Sequence, residues 1–281
     1  MKDPTILTFP GPVPGKTVAI FAGIHGNEIG GIFALRQLID DLQTGKIILE
    51  KGTLHLAFAN LAGIARGIRQ TDLNMNRAFH SDGNKLPEAD RSSYERLRAL
   101  ELQPLLDQSE ALLDLHSTLT ESSPFIICET HSFGIARLLP FSLISTGWDN
   151  VHGGSTDAYM NAQGKIGICV ECGQHEDPEA KERARLSIAI FLNAMGLIDT
   201  EEKGGFSTQR RIHAKTIYKV VSSFALSSVE RPEFARLKQD ELIGVDGAVP
   251  ILAPTDSILI FPRKTATIGE EAFVLGEEQV L

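Results

Sequence analysis

Cysteine is scarce in this chain. The three present among 281 residues, Cys128, Cys169 and Cys172, suggest no disulfide framework. Cys169 and Cys172 form a C-x-x-C, but a zinc ribbon needs a second pair and only Cys128 remains. A thioredoxin-like motif opens a helix, whereas this one closes an apolar, β-branched run. All three thiols are therefore read as reduced and structural. Basic side chains are also in deficit, 27 Lys and Arg against 36 Asp and Glu, for a net charge of −9. That balance argues against a nucleic-acid surface, which needs a basic face. It leaves an anionic small molecule open, because a few convergent cations in a cleft suffice to bind one. No apolar run approaches membrane-spanning length, and the first residues lack a basic start followed by a long apolar core. No membrane partner and a cytoplasmic location are the expectations. Internal repeats and low-complexity tracts are absent. The length suffices to bury a full core, in one large domain plus a small one.

What is present is a set of apolar runs that end in metal-ligating residue types. Thr17-Val18-Ala19-Ile20-Phe21-Ala22 leads directly into Gly23-Ile24-His25-Gly26-Asn27-Glu28. The apolar run, bounded by glycine, predicts a buried strand, and open α/β sheets place ligands beyond the carboxyl ends of their strands. An imidazole and a carboxylate three positions apart, on a turn opening a helix, can converge on one cation. A second run, Ala111-Leu112-Leu113-Asp114-Leu115-His116, ends the same way. Two histidines and one carboxylate leave a water position on tetrahedral zinc, the arrangement of a hydrolytic site. A lone histidine is more often a hydrogen-bonded structural residue; the repeated strand-end setting is what favours a ligand set here.

A third run, Lys165-Ile166-Gly167-Ile168-Cys169-Val170-Glu171-Cys172-Gly173, carries a carboxylate near its end. Burying that carboxylate without a partner is costly. The bland alternative is a surface acid ahead of the next helix. The functional reading is a general base beside a metal-activated water, which later returns the proton to the leaving amine. Cys169 shares a strand face with Glu171 and so can line the same wall.

His25-Gly26-Asn27-Glu28, Asn76-Arg77, His116 and Glu171, in that order and spacing, resemble the succinylglutamate desuccinylase/aspartoacylase family, part of the wider zinc-carboxypeptidase-like group. The resemblance runs through about residue 200. It implies an α/β fold with a mixed sheet flanked by helices and a small C-terminal β-rich domain. It also implies one zinc ion per chain on His25, Glu28 and His116, with Glu171 as the catalytic carboxylate. The expected activity is deacylation of a small anionic N-acyl amino acid. A carboxypeptidase-like hydrolase of small peptides and a non-catalytic metal-dependent binding protein are the alternatives. The family's arginine, acid, Asn-Arg and Phe pattern fits Arg69, Asn74, Asn76-Arg77 and Phe79, with Asn74 replacing the usual acid. On this register Arg77, with Asn76 beside it, offers a planar fork for a substrate carboxylate. Arg69 would polarise the scissile carbonyl and stabilise the oxyanion. A further departure is Asn161, which stands about ten residues before Glu171 where aspartoacylases carry an arginine for the substrate's carboxylate. Lys165 is the nearest cation. N-acetylaspartate is therefore not assumed as the substrate, and a homo-oligomer is left open.

Strands and helices alternate along the chain. Helical spacing of Ile29, Ile32, Phe33, Leu35, Leu38, Ile39 and Leu42 predicts a helix stopped by Gly45. Thr53 to Asn60 reads as a strand containing His55, and Arg91 to Leu106 as a helix. Pro124 to Cys128 and Phe141 to Thr146 read as short strands, and Gly153 to Tyr159 as a loop bordering the site. Asp177-Pro178 is expected to cap a helix ending near Gly196. His80, His131, His152 and His175 fall in polar segments and are read as non-ligands. Thr200 to Gly205 reads as a linker, giving a catalytic domain over 1–202 and a β-rich domain over 206–281. In the latter, Asp246-Gly247-Ala248 has no lysine at its tip, against a lipoyl or biotin carrier. The resemblance implies instead that this part roofs the cleft.

Overall fold

The computed structural model describes residues 5–119, 122–206, 208–227 and 231–279. Its elements begin with β1 (Ile6–Pro10), β2 (Thr17–Ala22), α1 (Ile29–Gln43), β3 (Thr53–Phe58), α2 (Leu61–Arg66), α3 (Tyr94–Gln108) and β4 (Ala111–Thr118). Next come β5 (Phe125–Cys128), α4 (Phe133–Ala136), β6 (Leu143–Thr146), α5 (Trp148–Val151), α6 (Thr156–Asn161), β7 (Ile166–Gln174) and α7 (Ala180–Met195). The remainder is β8 (Arg210–Lys219), β9 (Ser223–Leu226), β10 (Arg236–Leu237), β11 (Leu242–Asp246), β12 (Val249–Leu252), β13 (Ser257–Ile260), β14 (Thr265–Thr267) and β15 (Glu271–Gln279).

One large mixed sheet runs in the order β1-β3-β2-β4-β7-β5-β6-β8-β15-β13-β10. At its centre β3, β2, β4 and β7 are parallel. The carboxyl ends of β2, β4 and β7 therefore open on one edge, where ligands of such sheets gather. These strands are apolar on both faces because both are covered. Val18, Ile20, Leu113, Leu115, Ile168 and Val170 pack with side chains of α1 and α7. Ala19, Phe21 and Leu112 face the opposite way, against α3, Met75, Phe79 and Met160. Gly31 lets α1 lie on β4, since a Cβ there would sit 2.7 Å from that of Leu115.

Several local outcomes differ from the sequence reading. In α1, Ile29 and Phe33 point to solvent, with the Lys181 ammonium 4.6 Å from the Phe33 ring centre. The Gly153 to Tyr159 segment is not all loop, because Ser155 caps the short helix α6. The helix expected from Asp177-Pro178 starts later, at Ala180. Asp177 spends its side chain on the Glu179 N–H, at 2.9 Å, and closes a turn ahead of the helix. The predicted end at Gly196 matches, with φ of 77°.

Residues from Arg210 onward do two things. β8 pairs in parallel with β6 and antiparallel with β15, so the large sheet continues into this part of the chain. A separate antiparallel sheet has the order β12-β11-β9-β14. Phe125, Leu143 and Trp148 share an apolar cluster with Ile212, Phe234, Ile258 and Val274, so the two parts of the chain also share core. Among the described residues no helix is long and apolar enough to cross a membrane.

Candidate metal centre and substrate cleft

Where β2 ends, the chain turns through Gly23 to Glu28 before α1 begins. Gly26 is required there, because a Cβ would lie 2.0 Å from the Gly63 carbonyl carbon. Glu28 occupies the N-cap position of α1 but makes no side-chain cap hydrogen bond. Its carboxylate turns instead across the strand ends and accepts from the Ser117 N–H at 3.2 Å. His25 Nδ1 lies 2.7 Å from Glu28 Oε1, and His116 Nδ1 lies 2.9 Å from Glu28 Oε2. All three side chains are buried. Donor atoms of the three fall within 4.8 Å of one another.

Hydrogen bonding fixes which nitrogen of His25 is available. The Asn76 N–H donates to Asn74 Oδ1 at 3.0 Å, which marks that atom as the amide oxygen. His25 Nε2, 2.9 Å from the same oxygen, must therefore carry the proton. Nδ1 then presents a lone pair toward Glu28. Asn74, the residue that replaces the family's acid, thus orients a ligand-type histidine directly.

Asp114 stands behind His116, its Oδ2 3.1 Å from the ring Nε2 as a charge contact rather than a directed hydrogen bond. Asp114 is itself fixed by the Thr156 hydroxyl, which donates at 2.5 Å. A carboxylate behind a ligating histidine fixes the tautomer and raises the basicity of the ring. Burial opposes charge on His116, but Cys169, Asp114 and Glu28 hold its pKa well above the usual value. Burial instead pushes His25 down to about 4, against the pull of Glu28. Two imidazole nitrogens and a carboxylate thus converge within reach of a single ion. A divalent cation fits this donor set and would displace the proton on His116 Nδ1.

Glu171 on β7 is the register partner of His116 on β4, and Cys169 is the partner of Asp114. The four side chains form a square on one face of the sheet. His116, Cys169 and Glu171 also offer ligand-type atoms within 4.8 Å of one another. Burial raises the Glu171 carboxyl to about 8, Glu28 and Glu233 adding to the effect while His116 and Arg69 oppose it. Its Oε2 is buried with no hydrogen-bond partner among the described residues. The three cysteines are free and buried.

The loop bearing Arg69 to Arg77 is anchored by Glu95 of α3, which the sequence reading did not single out. Its carboxylate accepts from Thr71 N–H at 2.7 Å, Thr71 Oγ1 at 2.8 Å, Asp72 N–H at 3.2 Å and Leu73 N–H at 3.1 Å. It also takes Asn60 Nδ2 at 3.1 Å. Burial opposes the charge on Glu95, but the hydrogen bonds from this loop outweigh it and lower the pKa below 4.5. Its stabilisation is present above about pH 4.5 and is lost as pH falls through the lowered folded value. Glu95→Ala is expected to cost roughly 3 kcal/mol, from several donors left unpaired. In urea titrations from pH 3 to 7, the wild-type advantage should shrink on acidification. A pH-independent difference would show that the charge on Glu95 does not matter.

Arg69 reaches the cluster from the cleft edge, with Nη1 3.4 Å from Glu28 Oε1. Asn76 Oδ1 faces the Thr156 N–H at 3.4 Å. Arg77 donates from Nη1 to the Asn76 carbonyl at 2.8 Å and from Nη2 to Glu271 Oε2 at 3.2 Å. Asn161 is turned away and donates to Asp149 at 3.1 Å. Lys165 is likewise spent, on the Leu106 and Asp107 carbonyls. His55 hydrogen-bonds Thr8 within the sheet, and Arg66 is exposed.

His25, Glu28, Arg69, Asn76, Arg77, His116 and Glu171 all border one cleft of about 580 Å³. The C-terminal part of the chain also lines it, through Phe261 to Thr265 and through Glu270, Glu271, Phe273 and Val274. His152 and His175, expected only to be non-ligands, line it too. His175 Nδ1 meets Ser117 Oγ at 2.8 Å, and His152 Nδ1 lies 3.3 Å from Glu271 Oε1. No local pattern marked these two, because their neighbours come from distant segments.

The fold and the cleft define an α/β protein with a cation-ready cluster at the carboxyl ends of parallel strands. The catalytic-domain profile of the succinylglutamate desuccinylase/aspartoacylase family matches residues 14–194, and the chain belongs to that family. A succinylglutamate desuccinylase of Idiomarina loihiensis is 26% identical over 291 residues, covering 93% of this chain and 82% of that protein. One of Pseudoalteromonas atlantica is 31% identical over 146 residues, 46% of this chain and only 41% of its own length. Aspartoacylase of Xenopus tropicalis is 30% identical over 123 residues, 41% of this chain and 38% of that protein. The solved succinylglutamate desuccinylase of Vibrio cholerae superposes with a TM-score of 0.77 at 20% identity, covering 98% of this chain and 85% of that one. The fold is therefore that of the family.

Proposed function

We propose that this protein is a zinc-dependent amidohydrolase that removes the acyl group from a small N-acyl amino acid. The observation that carries the reading is a buried carboxyl, Glu171, beside a three-donor cluster at the cleft, its Oε2 without a hydrogen-bond partner among the described residues. His25, Glu28 and His116 would hold the metal, and their nitrogen and oxygen donors suit zinc. Bound there, zinc would supply Lewis acidity toward a water and an acyl carbonyl.

This chain's own groups account for the rest. Glu171 takes the proton from the attacking water and delivers it to the departing amine nitrogen. Arg69 places a guanidinium at the cleft edge, where negative charge builds on the carbonyl oxygen. Arg77 keeps unspent N–H donors for a substrate carboxylate, with Asn76 beside it. Asn74 holds His25 in its working tautomer, and the Asp114 carboxylate stands against the far nitrogen of His116. We place the functional division of the chain at 1–202 and 206–281, the second part supplying a cleft wall that favours small molecules over extended peptides.

The test is amine release from N-acetyl, N-succinyl and N-formyl amino acids by zinc-loaded protein, with a chelator-treated control. Chelator-sensitive release from a few members is expected. Cleavage of short unblocked peptides, with none of the N-acyl amino acids turned over, would instead favour a carboxypeptidase-like activity.

A further inference from the structure

We propose that Glu271 sets the substrate class, selecting an N-monoacylated diamino acid, with one carboxylate and one free ammonium, over an N-acylated dicarboxylic amino acid. The proposal rests on the deacylase reading given above.

Glu271 opens β15 in the C-terminal part of the chain and reaches across to the loop bearing Arg77. The two side chains meet at 3.2 Å, and both remain partly exposed to the cleft, at 25% for Arg77 and 31% for Glu271. A carboxylate therefore stands beside Arg77, the arginine assigned above to a substrate carboxylate. The imidazole on its other side, His152, is pushed down to about 3, by burial first and then by Arg77 and Lys219. It is neutral and cancels none of the charge on Glu271.

Cleft charge points the same way. A dicarboxylic amino acid needs cations for two carboxylates. Of the two cations beside the metal cluster, Arg69 already meets Glu28 and Arg77 already meets Glu271. Arg263 and Lys264 line only the exposed rim, where Arg263 lies 3.5 Å from Glu270. Asn161 and Lys165 are committed elsewhere, to Asp149 and to the Asp107 carbonyl. A second substrate carboxylate would thus face Glu271 at close quarters, and like charges in a partly desolvated cleft repel strongly. An ammonium reverses the sign. Arg77 and Glu271 in contact form a paired reader for a carboxylate and an ammonium on one small molecule.

That chemistry has two sources, an α-acylated diamino acid with a free side-chain amine and a side-chain-acylated one with a free amino-acid head. Nα-acetylornithine and Nδ-acetylornithine represent them, and N-acetylaspartate represents the diacid. Zinc-loaded wild type should show a kcat/KM at least tenfold higher for one acetylornithine than for N-acetylaspartate. Glu271→Gln should shrink that ratio by roughly ten- to a hundredfold, the weight of one charged hydrogen bond. Glu271→Asp, which keeps the charge on a shorter arm, should restore part of it. Preference of the wild type for the diacid, or a ratio unmoved in Glu271→Gln, would overturn the proposal. Calorimetric titration with free ornithine and free aspartate separates this failure from failure of the deacylase reading. Ornithine binding that weakens in Glu271→Gln would support charge selection even if no acyl substrate were cleaved. Equal binding by both proteins would end it.

Discussion

Glu171→Gln is expected to lose turnover by roughly a hundred- to ten-thousand-fold, the range for removing a positioned acid–base group, while metal content stays at the wild-type level. Glutamine preserves the shape of the side chain and can hydrogen-bond, but it cannot carry a proton from water to an amine. Parallel measurement of kcat and of bound zinc separates the outcomes. Wild-type-like turnover would sink the assignment of Glu171. Loss of zinc together with turnover would place Glu171 among the ligands, a role its 4.8 Å clustering with His116 and Cys169 would then explain. The same substitution has a signature in metal-free protein. Burial first, then Glu28 and Glu233, raise Glu171 from 4.5 to about 8 in the folded chain. A carboxyl that binds its proton more tightly when folded adds stability fully below the unfolded value and loses it as pH rises through the folded one. Metal-free wild type should therefore lose stability between about pH 4.5 and pH 8, and Glu171→Gln should lose less.

His116→Ala is expected to abolish stoichiometric zinc binding, read by metal analysis after dialysis. One of three donors disappears, and Asp114 and Glu28 are left as buried carboxylates without their shared imidazole. Because that change also opens a hole in the core, Asp114→Asn supplies a milder companion. It keeps the volume but weakens the hold on His116 Nε2, and a ten- to hundredfold loss of metal affinity is expected, roughly that of other carboxylates behind metal-binding histidines. Undiminished zinc in His116→Ala would remove that residue from the site. Unchanged affinity in Asp114→Asn would reduce Asp114 to a structural partner of Thr156.

The parts of this protein legible in sequence were those carried by one continuous segment. Buried strands showed as apolar runs because the centre of a parallel sheet is covered on both faces. The residues ending those runs, His25, Glu28, His116 and Glu171, showed because carboxylates and imidazoles are conspicuous where apolar side chains are expected. Strand periodicity also put Cys169 on the face of Glu171, since side chains alternate with a period of two. Asp114 was open to the same logic, two residues before His116 in an otherwise apolar run.

The tertiary structure decided what depends on segments far apart in the chain. Ile29 and Phe33 fit the helical stripe, yet they are exposed. Nothing local announced that β8 would pair with β6 and extend the sheet, since strand pairing is settled by the whole set of available edges. Glu95 lies on a helix more than twenty residues from the loop it anchors, so its five hydrogen bonds leave no pattern in the intervening chain. Glu271 reaches Arg77 across 194 positions. The sequence by itself determined which groups this protein has for binding a cation and moving a proton. Only the folded chain decided which charges meet across the cleft, because electrostatic contact depends on distance in space and carries no signature along the backbone.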